Sequence, residues 1–274
     1  MAALHHVTLG PGDGGRPLVL LHGLGMDWRG WEPVLDRLAR TREVIAVDLP
    51  GHGGSEPLDR RPDCYALTDA VASLVGDGRP DVAGISTGAG VALELARRGL
   101  VSSATAISPI GFWTPRERAW CQQSLRNQAV LGPRIRPVAP LLLGNPVTRT
   151  LQMGQVFGRP WKMPADAALR TLDTFLGTVG FEATNDAFDH YVFGRGSELR
   201  DVPVTVLWGT RDWLLVPRSA RRVPRAIPHA RFEWLPGCGH IPFWDDPDLV
   251  TRLVLEGSGR AEASRPWPAT SPRG

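Results

Sequence analysis

Short apolar runs alternate with stretches of helical spacing from the N-terminus to Ile107. The apolar runs predict strands that are buried on both faces at Leu18–Leu21, Glu43–Val47, Asp81–Ile85 and Ala104–Ile107. The stretches of helical spacing between them predict helices at Trp31–Ala39, Leu67–Val75 and Gly88–Arg98. Strands that alternate with helices in this way indicate an α/β fold, in which helices cover both faces of a mostly parallel sheet.

The alternation stops after Gly111 and resumes near residue 200. Residues 112–196 are dominated by helix-like stretches that prolines interrupt. Beyond them the pattern predicts strands at Val202–Trp208 and Ala230–Leu235 and helices at Arg218–Ala226 and Pro247–Leu255. We therefore predict an α/β core over residues 1–111 and 197–257 and a helical insertion over 112–196. Residues 258–274, rich in Pro, Ser and Arg, are predicted to be a disordered tail.

Composition and charge indicate a globular protein and argue against nucleic-acid binding. A chain of 274 residues with 42% hydrophobic and 22% charged residues is typical of a globular protein. Three arginines and one glutamate after residue 257 supply +2 of the net charge of +3. The body therefore carries no basic surface for nucleic acid. The arginines at 218, 221, 222 and 225 have helical spacing and predict a solvated helix face.

No sequence motif predicts a metal, a cofactor or a membrane partner. The three cysteines are odd in number and widely spaced, which indicates neither a disulfide framework nor a zinc site. Neither a signal peptide nor an apolar run of membrane-spanning length is present in the sequence, so we expect a cytoplasmic protein. Lys162 is the only lysine, and such usage is typical of a GC-rich bacterial genome.

Candidate catalytic groups follow the predicted strands. Gly84-Ile85-Ser86-Thr87-Gly88 reads as a strand, a sharp turn and a helix, a geometry that exposes a serine hydroxyl. The loop His22–Gly25 follows the first strand, Gly209–Asp212 follows a later one, and Gly237–His240 follows the last. The carboxyl ends of parallel strands meet at one sheet edge, so these loops are expected to converge there.

These motifs, with the Asp48–Ser55 loop and Asp246-Pro247, make the sequence resemble the α/β-hydrolase family. The resemblance covers nearly the whole chain apart from the insertion and the tail, and it implies that the insertion is the family's cap. The chemistry of the residues and the resemblance agree on the roles. Ser86 is the predicted nucleophile, His240 its base, and Asp212 the group that orients the imidazole. The backbone amides of Leu24 and Thr87 are predicted to form the oxyanion hole.

The remaining polar residues near these motifs are given structural roles. His22 and His52 are expected to shape their loops. His229 lies before a strand, at the wrong end of the sheet for catalysis. Asp245 and Asp246 follow His240 too closely to orient it and are expected to cap a helix.

A cap rich in large apolar side chains predicts an apolar acyl or alcohol part in the substrate. The partners predicted are thus a small ester-like molecule and water. Residues that flank the predicted catalytic loops are expected to line the pocket: Gly25, Met26, Trp28, Ile110, Trp113, Trp213 and Ile241.

The leading functional hypothesis is a serine hydrolase that cleaves a carboxylic ester, lactone or thioester through an acyl-enzyme on Ser86. A serine at the turn argues against relatives that use an aspartate there, the haloalkane dehalogenases and epoxide hydrolases. The Ser-Thr-Gly turn also resembles that of cofactor-free perhydrolases, which makes perhydrolysis a candidate side activity.

Two alternatives to ester hydrolysis stay open. The first is a carbon–carbon bond hydrolase or a lyase, although such hydrolases typically have Asn and Trp where this chain has Ile85 and Ile241. The second is a ligand-binding protein that keeps the triad but has negligible turnover.

Overall fold

One seven-stranded sheet organises residues 4–12, 15–199 and 202–259, which are the residues that this computed structural model describes. The strands are β1 (His6–Leu9), β2 (Leu18–Leu21), β3 (Val44–Val47), β4 (Asp81–Ile85), β5 (Ser103–Ile107), β6 (Val204–Gly209) and β7 (Arg231–Leu235). The helices are α1 (Glu32–Ala39), α2 (Cys64–Val75), α3 (Thr87–Arg97), α4 (Pro115–Ile135), α5 (Ala139–Gly144), α6 (Pro146–Met153), α7 (Ala165–Gly177), α8 (Phe181–Asp186), α9 (Pro217–Ala220), α10 (Val223–Ala226) and α11 (Pro247–Gly257).

The strand order is β1-β3-β2-β4-β5-β6-β7, and every neighbouring pair is parallel except β1 with β3. This arrangement confirms the predicted α/β class with a mostly parallel sheet. Since β2, β4, β6 and β7 run in one direction, the loops that follow them share one edge of the sheet.

Alternate residues of the interior strand β2 pack into the cores on opposite faces of the sheet. Leu18 and Leu20 pack with Trp31 and with apolar residues of α1 and α11 on one face. Val19 and Leu21 belong to the core on the other face, which includes apolar residues of α2 and α3. Burial on both faces favours apolar side chains, because a polar group there needs a hydrogen-bond partner, and this explains the wholly apolar sequence of β2.

Two elements differ from the sequence prediction. Strand β1 was not predicted, because His-Val-Thr-Leu is only half-buried at the edge of the sheet and lacks an apolar run. The predicted helix Arg218–Ala226 is two short helices, α9 and α10. Pro224 has no N–H to donate to the carbonyl of Ala220, so a helix that begins at Pro217 cannot continue through it.

The segment between β5 and β6 contains helices α4 to α8, where the sequence predicts the cap. Its own small core holds Ala139, Leu143, Phe157, Met163, Ala167 and Ala168. Helix α4 begins with a capping box, in which Thr114 and Glu117 satisfy each other's backbone N–H groups.

Glu117 also links the insertion to the core. Its carboxylate accepts from Arg218 Nε at 2.7 Å and lies 2.8 Å from Arg222 Nη1. The predicted arginine face is therefore not simply solvated, because two of its four arginines pair with a buried carboxylate.

The predicted disordered tail lies mostly outside the described residues. Ser258 and Gly259 belong to the predicted tail, and its remaining residues lie beyond the described part of the chain. Over the described ranges, none of the helices combines the length and apolar character needed to cross a membrane.

A buried ion pair joins the start of β4 to the loop before β3. Arg42 Nη2 donates to Asp81 Oδ2 at 2.6 Å, and both side chains are almost fully buried. Ser103 Oγ donates to the other carboxylate oxygen at 2.7 Å. We expect Arg42→Met to lower the free energy of unfolding by about 3 kcal/mol, because the Asp81 carboxylate would lose its buried counter-charge.

Urea denaturation of Arg42→Met would measure this loss. Arg40→Met, which removes an exposed arginine of the same loop, is the matched control. Equal urea midpoints for the two variants would contradict the expectation.

Candidate active site

Ser86 lies at a strained turn between β4 and α3. Its backbone has φ +54° and ψ −113°, a region that L-residues rarely adopt. Its N–H donates to Ile107 O at 2.9 Å, and its carbonyl accepts from Gly90 N at 3.0 Å. These bonds to the neighbouring strand and to the helix hold the strained conformation. The turn therefore presents the serine at the carboxyl edge of the sheet.

Glycine is required on both sides of this serine. A Cβ on Gly84 would collide with the carbonyl of Gly88, and a Cβ on Gly88 would collide with the carbonyls of Leu21 and His22. The close approach lets Gly88 N donate to His22 O at 3.1 Å. The turn after β4 and the loop after β2 are thereby fixed against each other.

His240 and Asp212 form a buried pair. Asp212 Oδ2 lies 2.8 Å from His240 Nδ1, and its Oδ1 accepts from the N–H groups of Leu214 at 3.0 Å and Leu215 at 2.7 Å. An ionised carboxylate beside Nδ1 selects the tautomer that carries the proton there. The lone pair of Nε2 is then free to accept a proton, as a general base requires.

The two predicted oxyanion donors lie on the loops that meet at Ser86. Leu24 lines the same cavity as Ser86. Thr87 is the first residue of α3, so its N–H has no acceptor within the helix. The N–H of Gly88 is already bonded to His22 O. Of the first two amides after Ser86, that of Thr87 is therefore the candidate donor.

His22 supports the loop after β2. Its Nδ1 donates to Gly23 O at 2.8 Å, and its Nε2 accepts from Leu49 N at 2.9 Å. The His52 ring lies 5.1 Å away, with Nδ1 3.0 Å from Pro50 O. Burial lowers the pKa of His22 to about 4, and burial together with the charge of His22 lowers the pKa of His52 to about 3. Both rings are therefore neutral at pH 7.

Asp245 differs from its expected role, whereas Asp246 matches it. Asp246 caps α11, with Oδ1 accepting from Leu249 N at 3.1 Å. Asp245 caps no helix. It is fully buried, and its carboxylate accepts backbone N–H groups of Gly158, Arg159 and Gly239. Burial raises the pKa of Asp245, although these three N–H groups oppose the shift.

A cavity of ≈210 Å³ is lined by Ser86 and His240 and extends among the helices of the insertion. Its lining among the described residues includes no Asp, Glu, Lys or Arg. Most of the wall is apolar and comes from the insertion: Leu125, Leu131, Ile135, Ala139, Leu142, Leu143, Met153, Val156, Phe157, Leu172, Phe175 and Phe188. The site therefore suits an uncharged apolar group.

The predicted pocket residues divide into two groups. Gly25, Met26 and Ile241 line the cavity, whereas Trp28, Ile110, Trp113 and Trp213 do not. These four flank the predicted catalytic loops in sequence, but their side chains make contacts elsewhere or face solvent.

The structure shows where the side chains of the three tryptophans and of Ile110 lie. Trp213 is 62% exposed. Trp113 is buried and donates its indole N–H to Tyr191 O at 2.9 Å. The guanidinium of Arg29 lies 4.8 Å from the Trp28 ring, and Ile110 packs against Gly90.

Cys121 also lines the cavity and carries a potential nucleophile. Burial, reinforced by the charge of Asp212, raises the pKa of its thiol. A thiol that stays protonated is a poor nucleophile, so Cys121 does not compete with Ser86 for that role. Among the described residues, no group of three or more His, Cys, Asp or Glu side chains could hold a metal ion.

Known proteins resemble this chain in sequence and in fold. The family model described as the Alpha/beta hydrolase family matches residues 18–253. A pimeloyl-[acyl-carrier protein] methyl ester esterase from Neisseria meningitidis serogroup B is 40% identical over 253 residues, covering 89% of this chain and 93% of the relative. An esterase from Rhodococcus sp. ECU1013 superposes with a TM-score of 0.73 at 25% identity, covering 93% of this chain and 94% of the other.

A further relative is the dihydrolipoyllysine-residue acetyltransferase component of the acetoin cleaving system of Pseudomonas putida. It is 30% identical over 252 residues, which cover 89% of this chain. The chain spans 64% of that relative's length.

The neutral histidine pair predicts a pH-dependent stability. The unfolded chain binds protons on His22 and His52 near pH 6.5, but the folded chain binds them only near pH 4 and pH 3. Their stabilisation is thus complete above pH 6.5 and is lost as the pH falls through the folded-state pKa values. For His52 alone, the loss between pH 6.5 and about pH 5 is about 2 kcal/mol.

Urea denaturation of the parent and of His52→Asn, each at about pH 7 and about pH 5, would measure this effect. The fall in unfolding free energy should be smaller in the variant by about 2 kcal/mol. An equal fall in both proteins would show that His52 is not responsible.

Proposed function

The chain belongs to the alpha/beta hydrolase family, and we propose that within it the protein hydrolyses carboxylic esters through an acyl-enzyme on Ser86. The observation that carries the proposal is the cavity that Ser86 shares with His240, whose ring is held by Asp212 at 2.8 Å. The ester-cleaving relatives in Neisseria meningitidis and Rhodococcus support the reaction class.

In the proposed mechanism, His240 transfers the proton in each step while a bond to the carbonyl carbon forms or breaks. Ser86 Oγ attacks the ester carbonyl carbon while His240 Nε2 takes the hydroxyl proton. The oxyanion is stabilised by the N–H groups of Leu24 and Thr87. His240 returns its proton to the alkoxide as the carbon–oxygen bond breaks, and the alcohol leaves. Water then attacks the acyl-enzyme by the same route and releases the acid.

The cavity wall supports an apolar acyl group as the specificity element. A carboxylate or ammonium group would lose its hydration there without finding a counter-charge. An aliphatic chain would instead gain about 0.8 kcal/mol for each CH₂ that it buries. We propose that the insertion acts as the cap that supplies this wall, since most of the lining side chains lie between residues 112 and 196.

Replacement of the nucleophile tests the proposed reaction. We expect Ser86→Ala to lower kcat for p-nitrophenyl esters by a factor on the order of 10⁴ or more, because no acyl-enzyme can form. Ser108→Ala is the matched control. Ser108 also follows a strand and has a positive φ, of 43°, but it does not line the cavity.

A fluorophosphonate probe gives a second readout of the same assignment. It should label the parent and Ser108→Ala but not Ser86→Ala. Turnover by Ser86→Ala at the parental rate would refute the mechanism. A parent that neither reacts with the probe nor turns over esters would indicate a binding protein.

The preference for long or short acyl chains tests whether the acyl group binds in the cavity. Leu142 lines it, whereas the adjacent Leu141 is 78% exposed. We expect Leu142→Trp to lower kcat/KM for p-nitrophenyl octanoate by about 10²-fold, because about four CH₂ groups would lose apolar contact. Activity on p-nitrophenyl acetate should change little.

The control for this prediction is Leu141→Trp, which should leave the ratio of the two activities unchanged. If both variants altered that ratio equally, the acyl group would not occupy this cavity.

A further inference from the structure

The loop that carries His240 is bonded directly to the cap. Ile241 N donates to Val156 O at 2.8 Å. Gly158 and Gly239 lie so close together that a Cβ on Gly158 would be 2.6 Å from Gly239 N, and one on Gly239 would be 2.5 Å from Gly158 N. Cap residues 156–159, here called the cap segment, therefore lie against the backbone of the histidine loop.

Asp245 joins the two backbones through its side chain. Its Oδ2 accepts from Gly158 N at 2.8 Å and from Gly239 N at 2.7 Å, and its Oδ1 accepts from Arg159 N at 2.6 Å. The side chain is fully buried, so water cannot replace these bonds. One carboxylate thus holds the residue before His240 and two residues of the cap segment.

The cap also reaches back to the backbone of Asp245. Arg159 Nη1 and Lys162 Nζ donate to its carbonyl at 3.1 and 3.0 Å. The aspartate therefore accepts from the cap with both its side chain and its main chain.

We propose that Asp245 is a positioning residue, which places His240 by fastening the histidine loop to the cap segment. The inference rests on the proposed function, because it assigns His240 the role of base and acid in ester cleavage. Asp212 fixes the rotation of the imidazole ring, whereas Asp245 fixes the backbone from which the ring projects. The same bonds hold Val156 and Phe157, which line the cavity, at a constant distance from the histidine.

Esters with different leaving groups can distinguish positioning of His240 from a general contribution of Asp245 to the stability of the fold. Methanol is a poor leaving group that needs a proton from His240 as the bond breaks, whereas p-nitrophenolate leaves without one. A displaced His240 should therefore harm a methyl ester more than a p-nitrophenyl ester of the same acid. A smaller folded fraction would instead lower both rates by one factor. The value of kcat/KM reports the acylation step, in which the two esters differ.

The experiment measures kcat/KM of Asp245→Asn on methyl octanoate and on p-nitrophenyl octanoate. Asparagine keeps the size of the side chain but replaces one acceptor oxygen with a donor. We expect a loss of about 10²-fold for the methyl ester and of about tenfold or less for the p-nitrophenyl ester. Equal losses for the two esters would overturn the proposal.

Asp63→Ala is the control for a general loss of stability. It removes the side chain that caps α2, outside the cap segment and the histidine loop, and it should lower both activities by the same factor. A second variant, in the cap segment, keeps the proposal testable if Asp245→Asn does not fold. Gly158→Ala forces the cap segment away from the histidine loop and should give the same selective loss on the methyl ester. Gly144→Ala, on the cap with open space around its Cα, should not.

Failure of this proposal is distinguishable from failure of the proposed function. If Ser86→Ala stays active, the proposed function is wrong. If Ser86→Ala is inactive but Asp245→Asn and Gly158→Ala slow the two esters equally, only the positioning role is wrong.

Discussion

The hydrogen bond from Gly88 N to His22 O is the contact on which the candidate active site depends. It forms because Gly88 has no side chain that would collide with the carbonyls of Leu21 and His22. The bond fixes the turn that presents the serine hydroxyl against the loop that contains Leu24. Because β2 and β4 are adjacent parallel strands, the sheet delivers both loops to this point without any further device.

The fold class could be predicted because its strands are buried on both faces. A strand such as Leu18–Leu21 has no solvent-facing side, so its apolar run stands out in the sequence. Strand β1 gave no such signal, because it lies at the edge of the sheet and is half exposed. Likewise, the proline at 224 divides a stretch whose arginine spacing alone suggests one helix.

Within the candidate site, residues at strand ends could be placed from the sequence, whereas residues on helices of the insertion could not. The topology alone brings Asp212 beside His240. The pocket wall depends on which face of each cap helix turns inward, and that is decided by packing among helices. Trp213 and Trp113 flank catalytic loops in sequence but do not line the cavity, whereas Phe175 and Leu142 lie far from those loops in sequence and line it. The position of Asp245 was equally hidden, since its partners Gly158 and Arg159 are about 86 residues away.

The pairing of Glu117 with Arg218 and Arg222 bears on how the insertion is held over the cavity. It anchors the beginning of the insertion to the core at one point, and the Asp245 contacts anchor residues 156–159 at another. The part of the cavity wall that α5 and α6 contribute lies between these two anchors along the chain. Leu131, on α4, is 51% exposed and also lines the cavity, so the apolar wall reaches the surface of the protein there.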